Sequence, residues 1–165
     1  MASHYIAQTD IKVAKGIWRS MQSKYNKAHV IYGERAVQVV KSALPILEKQ
    51  LDLPPGLNVR IASVKGRVRG WYVSKQELAI VDYMLRGRQV LETLCHELVH
   101  AEQYHQGRLK TEWANHDYQD VWMGSAVKAS YTQRPWEIEA WTRQVELADL
   151  VVDQLGTDFL ALKKD

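Results

Sequence analysis

The chain has 165 residues, of which 46% are hydrophobic and 25% charged, as is ordinary for a globular protein that folds as one domain over residues 1–165. The net charge of +3 is too mild to indicate a nucleic-acid-binding protein by itself, and the single cysteine, Cys95, excludes an internal disulfide. The start carries no basic and apolar leader and no apolar run is long enough for a membrane span, so we expect a cytoplasmic protein without a membrane partner.

Two helices are predicted at the start of the chain. Asp10 could cap the first, which carries an apolar stripe over residues 11–21. The second is expected from about Gly33 to Gln50, where Pro45 should kink or restart it. Residues 52–56 contain two prolines and a glycine, so the second helix should end before them.

A small β-sheet is predicted next. Residues 57–64 alternate in the two-residue period of a half-buried strand. A basic turn is expected over residues 65–70, followed by short strands around residues 70–73 and 78–81. This sheet precedes the segment on which the rest of the prediction depends.

Residues 91–101 contain the pattern His-Glu-x-x-His within a segment of helical periodicity. On a helical wheel His100 lies about 40° from His96, and Glu97 lies about 100° from His96. Apolar residues occupy the other side of the wheel, and Cys95 falls away from the histidines as a packing residue. The two imidazoles can therefore share one metal ion, for which zinc is the expected cofactor, with Glu97 beside it as a general base.

Three further elements are predicted after the histidines. The metal-binding helix should end at Gly107, and a helix is expected over roughly residues 117–129. Another helix should begin at Pro135, because proline suits the first turn of a helix, and should run to about Leu155.

A catalytic zinc site normally has three protein ligands, so a third ligand is needed. The candidates are His105, His116, Glu137 and Glu139. His105 falls on the wrong side of the first helix. Glu137 borders the apolar face of its helix whereas Glu139 opposes that face, and a carboxylate turned toward a core needs a compensating partner. This pattern favours Glu137.

Two segments together resemble the gluzincin metallopeptidases: His-Glu-Leu-Val-His at residues 96–100 and Glu-Ile-Glu-Ala at residues 137–140. The short spacing and small size look most like minigluzincins and related compact bacterial or phage zincins. The resemblance covers only about residues 78–141. It implies a zinc-dependent peptidase in which Glu137 is the third ligand.

A rival resemblance depends on residues 116–123, which look like the third-ligand segment of SprT-like or Spartan proteases. Those proteases act on proteins attached to DNA, and in them His116 would replace Glu137 as a ligand. The family commonly has a glycine after this histidine, where this chain has Asp117. Basic clusters at residues 65–69 and 86–88 are more often solvated turns than phosphate sites, so nucleic acid is not the favoured partner.

We therefore expect an α+β, zincin-like single domain with N-terminal helices, a small sheet, the His-Glu-x-x-His helix and a C-terminal helix bearing Glu137. Zinc would be bound by His96, His100 and Glu137, and a protein or peptide substrate would be hydrolysed with Glu97 as the base. Tyr131, Tyr104 or His116 could stabilise the oxyanion, and the sequence does not choose among them.

A non-catalytic, zinc-stabilised interaction domain is the third class of function. In a purely structural zinc site, however, Glu97 would have no role. The sequence does not predict the oligomeric state or the cleavage specificity.

Overall fold

A computed structural model describes residues 4–9, 27–55, 57–63, 68–82 and 85–161, which form an α+β fold as predicted. Within these residues the helices are α1 (Lys27–Gln50), α2 (Gly87–His105) and α3 (Pro135–Leu155). The strands are β1 (His4–Thr9), β2 (Asn58–Ser63), β3 (Gly70–Val73), β4 (Leu78–Asp82), β5 (Leu109–Ala114), β6 (Asp117–Trp122) and β7 (Ser125–Val127).

The strands form two sheets. The first sheet has the order β1-β2-β4-β3, in which β2 and β4 are parallel and the other pairs are antiparallel. The second sheet is an antiparallel meander, β5-β6-β7, inserted in the sequence between α2 and α3. In the part of the chain that the structure describes, β3 pairs only with β4 and therefore forms one edge of the first sheet.

The hydrophobic core surrounds the apolar side of α2. Leu91, Leu94 and Leu98 are fully buried there, together with apolar residues of α1, α3 and the inward-facing positions of β2 and β4. Cys95 is also fully buried in this core, which confirms that it is a packing residue, and burial raises the pKa of its thiol. The opposite side of α2 is left to carry polar groups.

Helix α1 begins earlier than predicted, at Lys27 instead of about Gly33, and it continues through Pro45 without a restart. A proline in a helix removes the hydrogen bond to the carbonyl four residues earlier, here that of Lys41. Both Pro45 and Lys41 are exposed, so water can satisfy that carbonyl. The predicted helix over residues 10–21 lies outside the described residues, as does most of the predicted basic turn at residues 65–70.

The predicted helix over residues 117–129 is wrong, because this segment forms β6 and β7. The reason is a pair of tight turns. Asn115 and His116 have φ values of 52° and 63°, and Met123 and Gly124 have φ values of 51° and 86°. Two successive residues with positive φ form the hairpin turn that matches the twist of flanking strands, so the chain reverses at each pair. Strands β1 and β5 were likewise not predicted.

The other predicted elements near the histidines are confirmed. Strands β2, β3 and β4 fall where the alternating segments predict them. Helix α2 ends before Gly107, whose φ is 71°, and α3 begins at Pro135. Among the described helices, none combines the length and the apolar character needed to cross a bilayer.

Candidate metal centre

His96 and His100 project from the polar side of α2, opposite the leucines that pack into the core. Glu137 lies in the first turn of α3, which packs directly against α2. The two helices bring one ligand atom from each of these three buried residues within 4.8 Å of one another. No other group of this kind occurs among the residues that the structure describes. These three residues are hereafter called the ligand group.

The distances within the ligand group fit a small tetrahedral metal ion. The Nε2 atoms of His96 and His100 are 3.1 Å apart. Glu137 Oε2 lies 3.1 Å from His96 Nε2, and the other carboxylate oxygen, Oε1, lies 3.5 Å from His100 Nε2. Ligand atoms about 2.0–2.1 Å from a tetrahedral zinc ion stand about 3.3 Å from each other. The two Nε2 atoms and the Glu137 carboxylate are therefore spaced as ligands of one ion.

Glutamine side chains fix the tautomers of the two histidines. Gln103, which is fully buried, donates its amide Nε2–H to the Trp136 carbonyl at 3.1 Å, so its Oε1 faces His100 Nδ1 at 2.9 Å. An amide oxygen only accepts, so His100 Nδ1 carries the proton. His96 Nδ1 faces Gln144 Oε1 at 3.0 Å in the same way. Both Nε2 atoms then present lone pairs to the centre of the ligand group, as in metal-bound histidines.

The ligand group attracts positive charge. Burial opposes protonation of His100, but its hydrogen bond with Glu137 and the charge of Glu97 outweigh burial and raise the pKa of His100. Burial would raise the pKa of Glu137, yet hydrogen bonds with His100 and His96 lower that pKa to about 2. Two imidazole lone pairs beside a charged carboxylate repel one another unless a cation lies among them. A metal ion bound by the ligand group would supply that cation.

Glu97 lies beside the ligand group and against β3. Burial raises the pKa of its carboxyl group to about 7, a shift opposed by the histidines. A Cβ atom on Gly70, at the start of β3, would stand 2.7 Å from Glu97 Oε1 and 2.6 Å from Thr93 Cγ2. Glycine at position 70 is therefore what lets the edge strand approach the helix so closely.

A cleft crosses the ligand group. It consists of two cavities of about 370 Å³ and about 470 Å³ that share Gly70, His96, Glu97 and Tyr131 in their walls. The first cavity is bounded by β3, the second sheet and the start of α3. The second cavity lies between β3, the first three turns of α2 and the middle of α3. The first cavity contains all three residues of the ligand group, and the second cavity reaches the group at His96.

Three residues were candidates for stabilising an oxyanion. Tyr131 lines both cavities, and burial together with the Glu137 charge raises its pKa to about 12. Tyr104 lines one cavity, where its hydroxyl contacts Thr111 Oγ1 at 3.1 Å. His116 is exposed in the turn between β5 and β6 and does not belong to the ligand group. Tyr131 is thus the one of these three candidates that lines both cavities.

Glu139 points away from the ligand group, as its position on the helical wheel predicts. Its carboxylate accepts hydrogen bonds from Arg108 at 2.7 and 3.0 Å and from Arg143 at 3.0 Å. His105 is exposed at the end of α2. Neither residue lies in the ligand group.

Sequence reasoning missed Gln144 and the role of Gly70. Gln144 lies seven residues after Glu137, which is two helical turns and therefore the same face of α3. This spacing could have predicted that Gln144 lies near the ligand group. The role of Gly70 had no such signal, because it arises from contact with a helix distant in sequence.

Comparisons with known proteins add no information about this centre. The chain was compared with protein-family models, with curated proteins and with solved structures, and none of these matches it.

Proposed function

We propose that this protein is a zinc-dependent metalloendopeptidase of the gluzincin type. The observation that carries the proposal is the buried ligand group of His96, His100 and Glu137, with the Glu97 carboxylate beside it in an open cleft. Two imidazole nitrogens and one carboxylate oxygen at tetrahedral spacing are the donor set of many catalytic zinc sites. The same donors also suit non-haem iron, which metal analysis distinguishes.

Two features favour a catalytic over a structural metal site: the number of protein ligands, and the access of water or substrate to the metal position. Structural zinc sites are usually closed by four protein ligands. The ligand group offers three, and its members line the cleft, so a fourth position is accessible to water or substrate. Glu97 adds a carboxylate that is not needed to hold a metal ion.

The proposed chemistry is hydrolysis of a peptide bond. Zinc bound to the ligand group would lower the pKa of a water molecule and polarise the scissile carbonyl. Glu97 would accept the proton of the attacking water and then donate it to the leaving amine. Tyr131, whose hydroxyl stays protonated at neutral pH, would donate a hydrogen bond to the oxyanion.

A peptide substrate is supported by the edge strand that borders the cleft. Strand β3 lines the cleft with Gly70, Trp71 and Tyr72, and its outer edge has no partner strand among the described residues. An extended peptide can pair with such an edge through main-chain hydrogen bonds. The second cavity adjoins the first at His96 and Glu97 and gives room for more of a peptide chain, which supports cleavage within a chain over removal of a terminal residue.

The test combines metal analysis with substitution of the base. Purified protein should contain about one zinc per chain. Glu97→Gln should keep the zinc and lose at least about 100-fold in hydrolysis of a mixed peptide library, because an amide cannot accept the proton. Glu146→Gln, on the exposed side of α3, is the matched control and should remain active.

Two outcomes would end the proposal: wild-type protein that holds no zinc even after reconstitution, or a Glu97→Gln variant as active as the wild type. Zinc bound without any hydrolysis of the library by the wild type would favour the non-catalytic interaction domain instead. Iron in place of zinc would redirect the assignment to iron-dependent chemistry.

A further inference from the structure

Arg134 lies at the start of α3 and lines the same cavity as the ligand group. Its guanidinium carbon stands 5.7 Å from the centre of the Tyr131 ring and 5.9 Å from that of the Trp136 ring. Its Nε donates to the Ala129 carbonyl at 3.5 Å. Contacts with two aromatic rings and one carbonyl thus position the guanidinium at the wall of the cavity.

The cleft arginine differs from the arginines that pack between the helices. Arg88 contacts Glu92 and Asp149, and Arg108 and Arg143 both contact Glu139. Arg134 has no carboxylate partner anywhere in the described ranges of the chain. Its terminal amino groups, which form a fork that matches a carboxylate, are left for another molecule.

The surroundings of Arg134 favour a singly charged anion. Asp120 lines the same cavity but accepts a hydrogen bond from Thr111 at 3.3 Å instead of pairing with the arginine. Glu97 and Glu137 lie nearby in the same walls. One guanidinium among these carboxylates suits a carboxylate better than a dianionic phosphate, which would meet more repulsion.

Tyr131 lies between Arg134 and the ligand group. Its ring lies under the guanidinium, and Tyr131 and Arg134 line the same cavity as Glu137. An anion bound by Arg134 is therefore separated from the ligand group by about one aromatic side chain. In an extended peptide, that separation corresponds to a group close to the bond under attack.

From this geometry we infer that Arg134 binds a carboxylate of the substrate and makes the cleft selective for peptides that carry an acidic group near the scissile bond. The carboxylate comes either from an aspartate or glutamate side chain or from the C-terminus of the peptide. The inference rests on the proposed peptidase function for the identity of the ligand as a peptide.

The test measures binding, so that it does not depend on turnover. Capped octapeptides of alanine would carry one glutamate moved through successive positions, each matched by a peptide with glutamine. Their dissociation constants would be measured by calorimetry on zinc-loaded protein in the Glu97→Gln background. At one or two positions the glutamate peptide should bind about tenfold more tightly than its glutamine partner, since the charged bond is the stronger one.

Substitutions at Arg134 test whether this residue causes the preference for glutamate over glutamine peptides. Arg134→Met should abolish the preference, and Arg134→Lys should retain only part of it because lysine lacks the planar fork. Lys128→Met is the matched control: it removes one positive charge from an exposed position that does not line the cleft, and it should leave the preference intact. A purely structural role for Arg134 would weaken both peptides of a pair equally.

A second set of peptides with a free C-terminus separates the two sources of the carboxylate. A gain that appears only with the free terminus identifies the terminal carboxylate, and a gain in capped peptides identifies a side chain. Equal affinities within every pair in both sets, or a preference that survives Arg134→Met, would overturn the inference. Failure of the wild type to cleave any of these peptides would count against the proposed function and leave the affinity comparison standing.

Discussion

The tautomers of His96 and His100 each depend on one glutamine side-chain oxygen. Gln103 and Gln144 each accept a hydrogen bond from an Nδ1–H and thereby turn a lone pair toward the ligand group. The orientation of Gln103 is fixed in turn by the Trp136 carbonyl, next to Glu137 in sequence. One buried amide therefore connects a histidine of α2 to the first turn of α3.

The identity of the third ligand gives a prediction at the scale of single residues. Glu137→Ala should weaken zinc binding by more than about 100-fold, because loss of a ligand costs more than loss of an outer partner, about 10–100-fold. Glu139→Ala should have little effect on zinc binding, because its carboxylate pairs with Arg108 and Arg143. Competition with a chelator would give the dissociation constants.

His116→Ala is the control for the SprT-like alternative and should bind zinc like the wild type, since His116 is exposed in a hairpin turn. Circular dichroism would establish that all three variants are folded. A metal-free His116→Ala beside a zinc-bound, folded Glu137→Ala would refute the gluzincin assignment and favour the SprT-like one.

The residues of the ligand group could be predicted because helical periodicity is local. A spacing of four residues places His96 and His100 together, and the apolar stripe of α3 indicates which side Glu137 occupies. The contacts of Tyr131 and Gly70 with the centre could not be predicted in this way. Each depends on how segments distant in sequence pack against one another.

At the scale of elements, α2 and α3 are joined by a group of ion pairs behind the ligand group. Glu102 of α2 is almost fully buried, and both terminal nitrogens of Arg143 on α3 donate to it. Arg143 and Arg108 also pair with Glu139. Burial raises the pKa of Glu139, but the hydrogen bonds with these arginines outweigh it and hold that pKa below its usual value.

Arg143→Met should destabilise the protein by about 2 kcal/mol, because it leaves the buried Glu102 carboxylate without its main partner. Arg108, 3.4 Å from Glu102, limits the loss. The free energy of unfolding would be measured by urea denaturation of the zinc-free protein, so that the metal does not contribute.

Arg88→Met is the matched control for this prediction. Arg88 also joins α2 to α3, but its partner Asp149 is 61% exposed, so the loss should be below about 1 kcal/mol. Equal losses in the two variants would contradict the view that burial of Glu102 makes the Arg143 contact important.

The elements that could be predicted are those with their own start and stop signals. Pro135 opens α3, Gly107 follows α2, and alternation defines β2. The second sheet was missed because its turns are Asn115-His116 and Met123-Gly124, and neither is one of the Asn-Gly, Asp-Gly or Gly-Gly pairs that indicate a hairpin in a sequence. Strand β1 was missed because its partner, β2, is distant in sequence.

At the scale of the whole molecule, the ligand group joins two parts of the chain that are separated in sequence by the second sheet. Helix α2 packs on the first sheet, and α3 follows the second. A metal ion bound by both helices would bind the folded chain only, because the unfolded chain does not bring the ligands together. Metal binding and folding should therefore be coupled.

Removal of zinc should lower the melting temperature. With free zinc at about 1,000 times its dissociation constant, the folded state gains about 4 kcal/mol, which for a chain of this size is a shift of about 10 °C. Calorimetry before and after chelation, with zinc added back, would measure this shift. His96→Ala should show no such shift, and a wild type with equal melting temperatures in both states would contradict the coupling.

The second sheet forms part of the cleft wall but carries none of the residues of the ligand group. It lies between α2 and α3 and supplies one wall of the cleft, while the helices that hold the ligands contact each other directly. Its turn at Asn115 and His116 is exposed and far along the sequence from every ligand. We therefore expect that lengthening or replacing the hairpin at this turn would change the shape of one wall of the cleft while the residues of the ligand group keep their positions.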